Sequence, residues 1–167
     1  MNLVILRHAK AYPRGEKFKP DRKRPITPEG EEIMRKAAEG MKALGLEFDL
    51  ILTSSWLRAA QTARITAEVF KMEKVWQTEN LSGDANPKSI VTEINDNYPS
   101  LNNILLVGHE PHLSSLISLL LTGDTDMAID FKKSGLCKLA IKDLRVGRCA
   151  ILEWLLTPKQ LQVISPN

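Results

Sequence analysis

The chain has 167 residues, 43% hydrophobic and 26% charged, which is enough for one well-filled core and too little for two, so a single domain over 1–167 is expected. Its 23 Lys+Arg against 20 Asp+Glu leave a formal net charge of +3, which permits acidic ligands without the basic excess of a general nucleic-acid binder. No apolar stretch approaches the ~18 residues of a membrane span, and the N-terminal strand lacks the basic and long apolar regions of a secretory signal, so a cytoplasmic location is expected.

Asn2 to Leu6 reads as the first strand, and Leu3-Val4-Ile5-Leu6 shows no polar alternation, as in a strand covered on both faces of a parallel sheet. Arg7-His8-Ala9 follows at its carboxyl end, where such sheets bind ligands. A basic loop, Lys17 to Arg24, precedes Thr27-Pro28, which reads as the N-cap and first position of a helix with the stripe Ile33, Met34, Ala37, Ala38 and Met41, ending before Gly45. Leu50 to Thr53 is the second strand. Ser54 or Ser55 then caps a helix that carries Ala59, Ala60, Ala63, Ala67 and Phe70 on one face and Arg58 in its first turn.

Lys74 to Gln77 reads as a third strand, Lys88 to Asn97 as a helix closed before Pro99, and Ile104 to Val107 as a fourth strand. Gly108-His109-Glu110-Pro111 leads into a helix with Leu113, Leu116, Ile117, Leu120 and Leu121 at helical spacing, ending near Gly123. Leu136 to Ile141 and Cys149 to Leu155 flank a polar connection and suit an antiparallel pair at a sheet edge. This alternation predicts an α/β fold, a three-layer α/β/α sandwich with a mostly parallel sheet and an antiparallel edge strand. Cys137 and Cys149 lack CxxC spacing or clustered histidines and read as free thiols.

Arg7-His8, Ser54 to Arg58 and Gly108-His109 each follow a strand-length apolar run, so a parallel sheet delivers all three to one edge. Two imidazoles and two guanidiniums there suit a multiply charged oxyanion such as phosphate. Guanidiniums can stabilise the charge of a transferring phosphoryl group, and a neutral imidazole can accept it. His8, tied to the strand end beside Arg7, is the candidate nucleophile; His109 would donate a hydrogen bond to a phosphoryl oxygen. His8, His109 and His112 could in number bind zinc, but two arginines in the same crevice would repel the cation, so neither metal nor cofactor is expected. His112 reads as a helix N-terminal residue near the site rim.

These residues resemble the histidine phosphatase superfamily. Its Arg-His-Gly or Arg-His-Ala signature is matched by Arg7-His8-Ala9, its S-x-x-x-R-A-x-Q-T-A helix start by Ser54 to Ala63, and its late G-H-x-P turn by Gly108 to Pro111. Short length, Arg24-Pro25-Ile26-Thr27-Pro28 before the first helix and the closing Trp154 to Pro158 are most similar to the SixA-type phosphohistidine phosphatases. The resemblance implies a phosphoglycerate mutase-like fold, no metal, and a transient phosphohistidine at His8, with Arg7, Arg58 and His109 completing the pocket. It also aligns Arg24 with an arginine able to reach the substrate phosphate, the other reading being a solvated loop residue.

Ester-cleaving relatives supply a carboxylic acid after the third strand, a place for which Glu79, Asn80 and Asp84 compete here. An imidazole leaving from a P–N bond needs less acid assistance than an alkoxide, so a weak or missing acid suits phosphohistidine. The expected substrate is therefore a phosphohistidine-bearing protein, and the alternative is a small phosphate monoester with Glu79 or Asp84 as general acid. A non-catalytic phosphate- or nucleic-acid-binding module using the Lys17 to Arg24 loop is the reading from another class. A monomer or weak dimer is expected.

Overall fold

The computed structural model describes residues 1–166. One six-stranded sheet has the order β3-β2-β4-β1-β5-β6, with β1 at Asn2–Arg7, β2 at Leu50–Ser54, β3 at Trp76–Thr78, β4 at Asn103–Gly108, β5 at Leu136–Ile141 and β6 at Ala150–Leu156. β1, β2, β3 and β4 run parallel, whereas β5 pairs antiparallel with both β1 and β6. Helices α1 (Pro28–Ala43), α2 (Leu57–Phe70) and α5 (Pro158–Ile164) share one apolar cluster, and α3 (Pro87–Asn97) and α4 (His112–Thr122) share the other. The three-layer α/β/α arrangement is the one predicted, and no helix among the described residues is long and apolar enough to cross a membrane.

The unbroken apolar strands follow from burial on both faces. Leu3, Ile5, Leu52, Ile104 and Leu106 point to the α3–α4 side, while Val4, Leu6, Ile51, Leu105 and Val107 point to the α1–α2–α5 side. Each fully buried Leu or Ile contributes about 1.5–3 kcal/mol of transfer free energy, so alternate residues stabilise both layers.

Thr27 caps α1, its hydroxyl accepting from Gly30 N at 3.0 Å, with Pro28 at the first position. The third strand is shorter and later than Lys74 to Gln77, because only Trp76, Gln77 and Thr78 find partners on β2. The sequence reading missed α5, which Thr157 and Gln160 begin with a reciprocal capping box. This helix presses its backbone onto α1: a Cβ at Gly40 would lie 2.0 Å from the Leu161 carbonyl oxygen. Cys137 and Cys149 are free thiols, and the strand register sets Cys137 against Leu155, away from Cys149.

Candidate active site

Arg7, Ser54 and Gly108 end β1, β2 and β4, three adjacent strands, and Arg7 lies directly across from Gly108. The three predicted segments therefore emerge side by side. Helix α2 leaves β2 on one face of the sheet and α4 leaves β4 on the other, which opens a crevice between them, as parallel sheets do where connections switch sides.

His8 is 6% exposed and its Nδ1 lies 2.8 Å from the Ala9 carbonyl oxygen. A carbonyl only accepts, so the ring proton sits on Nδ1 and Nε2 keeps its lone pair. Burial, and then the positive charges of Arg58, Arg7 and Lys133, push the ring down to about 3 despite the opposing Ala9 hydrogen bond. At neutral pH the ring is an uncharged nitrogen base inside a cationic pocket.

Arg58 is 3% exposed, and its Nε points at His8 Nε2 across 3.4 Å. Its other two nitrogens engage Asp21, one donating to the backbone oxygen at 3.1 Å and the other 3.2 Å from the carboxylate. Burial and the charge of Arg24, partly offset by Asp21, pull this guanidinium down to about 10, still fully protonated at neutral pH. Trp56 lies between the two groups it orders: its ring is 4.6 Å from the Arg58 guanidinium carbon and 4.8 Å from the His109 ring.

His109 stands 5.0 Å from His8, ring to ring, and its Nε2 is 2.9 Å from Ser54 Oγ. Ser54 Oγ also accepts from Trp56 N at 3.2 Å, and its hydroxyl can either donate to His109 Nε2 or accept from Nε2–H with its second lone pair. Nδ1 of the same ring is buried with no protein partner, and carries the ring proton when Ser54 is the donor. Burial first, and then nearby cationic groups including Arg58, lower this ring to about 2. With its proton on Nδ1 the neutral ring has an open donor of the kind a phosphoryl oxygen accepts. Ser54, predicted as a helix cap, instead serves His109, and α2 starts from Trp56 with no side-chain cap.

Arg7 donates through one terminal nitrogen to the Phe131 carbonyl, and its Nε is buried without a partner. Burial lowers its pKa, against the attraction of Glu110 and Asp130. The turn that follows Phe131 wraps this strand end: Ser134 N lies 3.1 Å from the Arg7 carbonyl and 3.3 Å from that of His8. Lys133 sits in the same field, its pKa lowered by burial and by Arg7, Arg24 and Lys10.

Arg24 is 9% exposed, so the loop arginine is not solvated. It donates to Tyr12 O at 2.7 Å and to the Asp21 carboxylate at 2.9 Å. The loop is closed at its base by an Ala11–Ile26 bridge and is tied to α2 by Ile26 N donating to Gln61 Oε1 at 2.9 Å. Asp21 thus holds Arg24 and Arg58 together. Desolvation works to raise its pKa, but the ion pairs with Arg24, Arg58 and Arg14 outweigh it and lower it. Thr62 makes a second tie, accepting from Ala9 N at 2.9 Å and donating to the Arg58 carbonyl, so strand end and helix are locked in mutual register.

Sequence reasoning named His8, Arg7, Arg58, His109 and Arg24 and missed Asp21, Ser54 as a site residue, Trp56, Thr62 and Lys133. A carboxylate three residues before Arg24, and Gln61-Thr62 on the turn after Arg58, were the available signals. His112, expected near the rim, is 3% exposed, and burial lowers its ring to about 4. Of the candidate acids, Glu79 accepts a hydrogen bond from Ser82 Oγ at 3.1 Å, while Asp84 is exposed. Among the described residues neither is joined by a hydrogen bond or ion pair to His8, Arg7, Arg58 or His109. Between them in the same loop, Gly83 packs against the root of the His109 side chain: a Cβ there would lie 3.5 Å from His109 Cβ and 3.9 Å from both His109 Cγ and the Trp56 ring.

Residues 3–82 match the sequence profile of the histidine phosphatase superfamily, branch 1. An uncharacterized protein of Picosynechococcus is 33% identical over 141 residues, 83% of this chain and 84% of its own length. Among solved structures, the protein histidine phosphatase SixA in complex with tungstate superposes with a TM-score of 0.84 at 21% identity, covering 96% of this chain and 99% of its own. A phosphoserine phosphatase of Entamoeba histolytica in complex with phosphoserine gives 0.70 at 14% identity, over 96% and 98% of the two chains. With the strand-end Arg-His pair, the second arginine and the second histidine gathered at one sheet edge, the chain belongs to the histidine phosphatase superfamily and has its phosphoglycerate mutase-like fold.

Proposed function

We propose that the protein is a metal-independent phosphatase that hydrolyses phosphohistidine on a protein, through a covalent phosphohistidine at His8. Nε2 of neutral His8 attacks phosphorus as the P–N bond to the substrate imidazole breaks, and the departing imidazole takes a proton from solvent. Water then attacks the phosphorus of phospho-His8, releasing inorganic phosphate and restoring the ring. Arg7, Arg58 and His109, in the tautomer with its proton on Nδ1, hold the equatorial oxygens through both steps, and Asp21 positions Arg58 and Arg24. The charge that a metal would supply elsewhere comes from guanidiniums.

The observation that carries the P–N reading is that, among the described residues, neither Glu79 nor Asp84 is joined to His8, Arg7, Arg58 or His109, and that Gly83 between them sets no side chain against His109 and Trp56. A protonated carboxyl there would assist an alkoxide, and its lack costs little when the leaving group is an imidazole. The SixA relative holds tungstate, a tetrahedral oxyanion, in a structure with the same fold. A second reading, hydrolysis of a small phosphate ester, is favoured by the phosphoserine-bound neighbour and by Glu79, which lines the surface beside Ser55.

The test is to quench the enzyme during turnover of phosphohistidine, locate the phosphate by mass spectrometry, and compare rates on phosphohistidine and phosphoserine. Phosphate on His8 with faster P–N cleavage is expected. Phosphate on another residue, or turnover with no covalent intermediate, overturns the mechanism; faster ester cleavage that collapses in Glu79→Gln or Asp84→Asn selects the second reading.

A further inference from the structure

The α1–α2–α5 layer stops one strand short of the sheet edge. α2 packs over β2 and β4, which leaves the same face of the edge strand β3 without a helix. Ala60, Arg64 and Ala67 lie on one side of α2, spaced as helix neighbours, while Val75, Gln77 and Glu79 alternate along β3 and its continuation; together they line a trough. At its inner end Arg22, Lys23, Ser55 and Leu57, chain neighbours of site residues, join the lining. Ser55 and Leu57 flank Trp56, and Arg22 and Lys23 lie between Asp21 and Arg24.

The inner end is cationic on balance. Arg22, Lys23 and Arg64, which also borders the outer end, stand there against one carboxylate, Glu79, and none of the three has an ion-pair partner among the described residues. Most other cations around this loop do have one: Lys19 pairs with Glu16, Lys10 with Glu29, and Arg24 with Asp21. At the outer end stand Glu68, which pairs with Arg35, and Glu73, over a floor of Ala67, Met72 and Val75. Leu57, 39% exposed, adds an apolar contact at the inner end.

We infer that this trough is the docking site for the polypeptide that flanks the phosphorylated histidine, and that it selects a substrate protein with acidic residues within a few positions of that histidine. The inference rests on the phosphohistidine reading above. From Leu57 to Glu68 the helix rises roughly 16 Å, the span of about five residues of extended chain, so a short segment fills the trough while its histidine reaches His8. Acidic side chains next to the histidine meet Arg22, Lys23 and Arg64, and the more distant ones meet an apolar floor that ends in carboxylates.

The experiment compares free phosphohistidine with two short peptides phosphorylated on a central histidine, one flanked on both sides by glutamates and the other by lysines. At low salt the glutamate peptide is expected to show a kcat/KM roughly tenfold higher, about 1.4 kcal/mol from a few screened contacts, expressed in KM. Arg64→Glu, a substitution on the exposed face of a helix, and Arg22→Glu in the loop should each erase most of that preference while leaving turnover of free phosphohistidine unchanged. Added salt should erase it as well. Equal kcat/KM for the two peptides, or a preference that survives in both variants, overturns the docking site while free phosphohistidine is still hydrolysed. If free phosphohistidine is not hydrolysed and phosphoserine is, the underlying reading fails and the docking site falls with it.

Discussion

Placing a carboxyl at position 83 should turn the pocket toward phosphate esters. In Gly83→Glu the new Cβ meets His109 and Trp56 at 3.5–3.9 Å, ordinary van der Waals separations, and the backbone there is not left-handed, so the variant should fold with little cost. A positioned general acid contributes about 10²–10⁴ in rate, or roughly 3–5 kcal/mol of barrier, when the leaving group is a poor one. Phosphoserine, whose alkoxide leaves badly, should gain within that range. Phosphohistidine should change by less than about tenfold, because its imidazole departs without such help. The assay is kcat/KM on both substrates for wild type, Gly83→Glu and Gly83→Gln, with tungstate inhibition as a check that the oxyanion pocket is intact. The glutamine variant has the shape without the proton and should show no gain. Equal gains in both variants, or no gain in Gly83→Glu with tungstate binding preserved, would refute the argument that an absent carboxyl at this position sets the leaving group.

Three further outcomes follow from the same geometry. Asp21→Asn removes the carboxylate that pairs with Arg58 at 3.2 Å and Arg24 at 2.9 Å, and should lower kcat by about 10–100-fold while the protein stays folded by circular dichroism; unchanged kcat would show that the arginines are held without it. The rings of His8, His109 and His112, lowered to about 3, 2 and 4 by burial, should stay neutral in NMR titrations from pH 8 to about 5. Because the unfolded chain takes up protons near pH 6.5 and the folded one does not, stability should be complete above about pH 6.5 and fall as pH drops, by up to about 1.4 kcal/mol per pH unit for each ring, which urea melts at several pH values would measure. Gly40→Ala drives a methyl to 2.0 Å from the Leu161 carbonyl oxygen and should cost at least about 2 kcal/mol in the same melts, with α5 the first element to lose hydrogen-exchange protection.

The strands were legible because each core strand is buried on both faces, which leaves an unbroken apolar run whose carboxyl end can be read directly. Arg7, His8 and His109 could be named for the same reason: they stand immediately after such runs. The edge strand was misplaced by two residues because β3, with Trp76 and Gln77 exposed, carries no burial signal. α5 escaped notice because seven residues hold barely two turns of periodicity, and its capping box was the one local sign of it.

Residue type and order along the chain determined the kind of chemistry: two imidazoles and two guanidiniums brought to one sheet edge by three strand ends. Only the tertiary structure decided their protonation and their partners. The Ala9 carbonyl sets the tautomer of His8, Ser54 at the end of β2 pairs with His109, and Asp21 crosses from a closed loop to bind Arg58, 37 residues away. Those choices depend on distances between segments remote in sequence, and a carboxylate or hydroxyl acts on whichever group the fold brings within about 3 Å. Position 83 shows the same division: a glycine in a loop says nothing by itself, and only the fold sets it against His109 and Trp56.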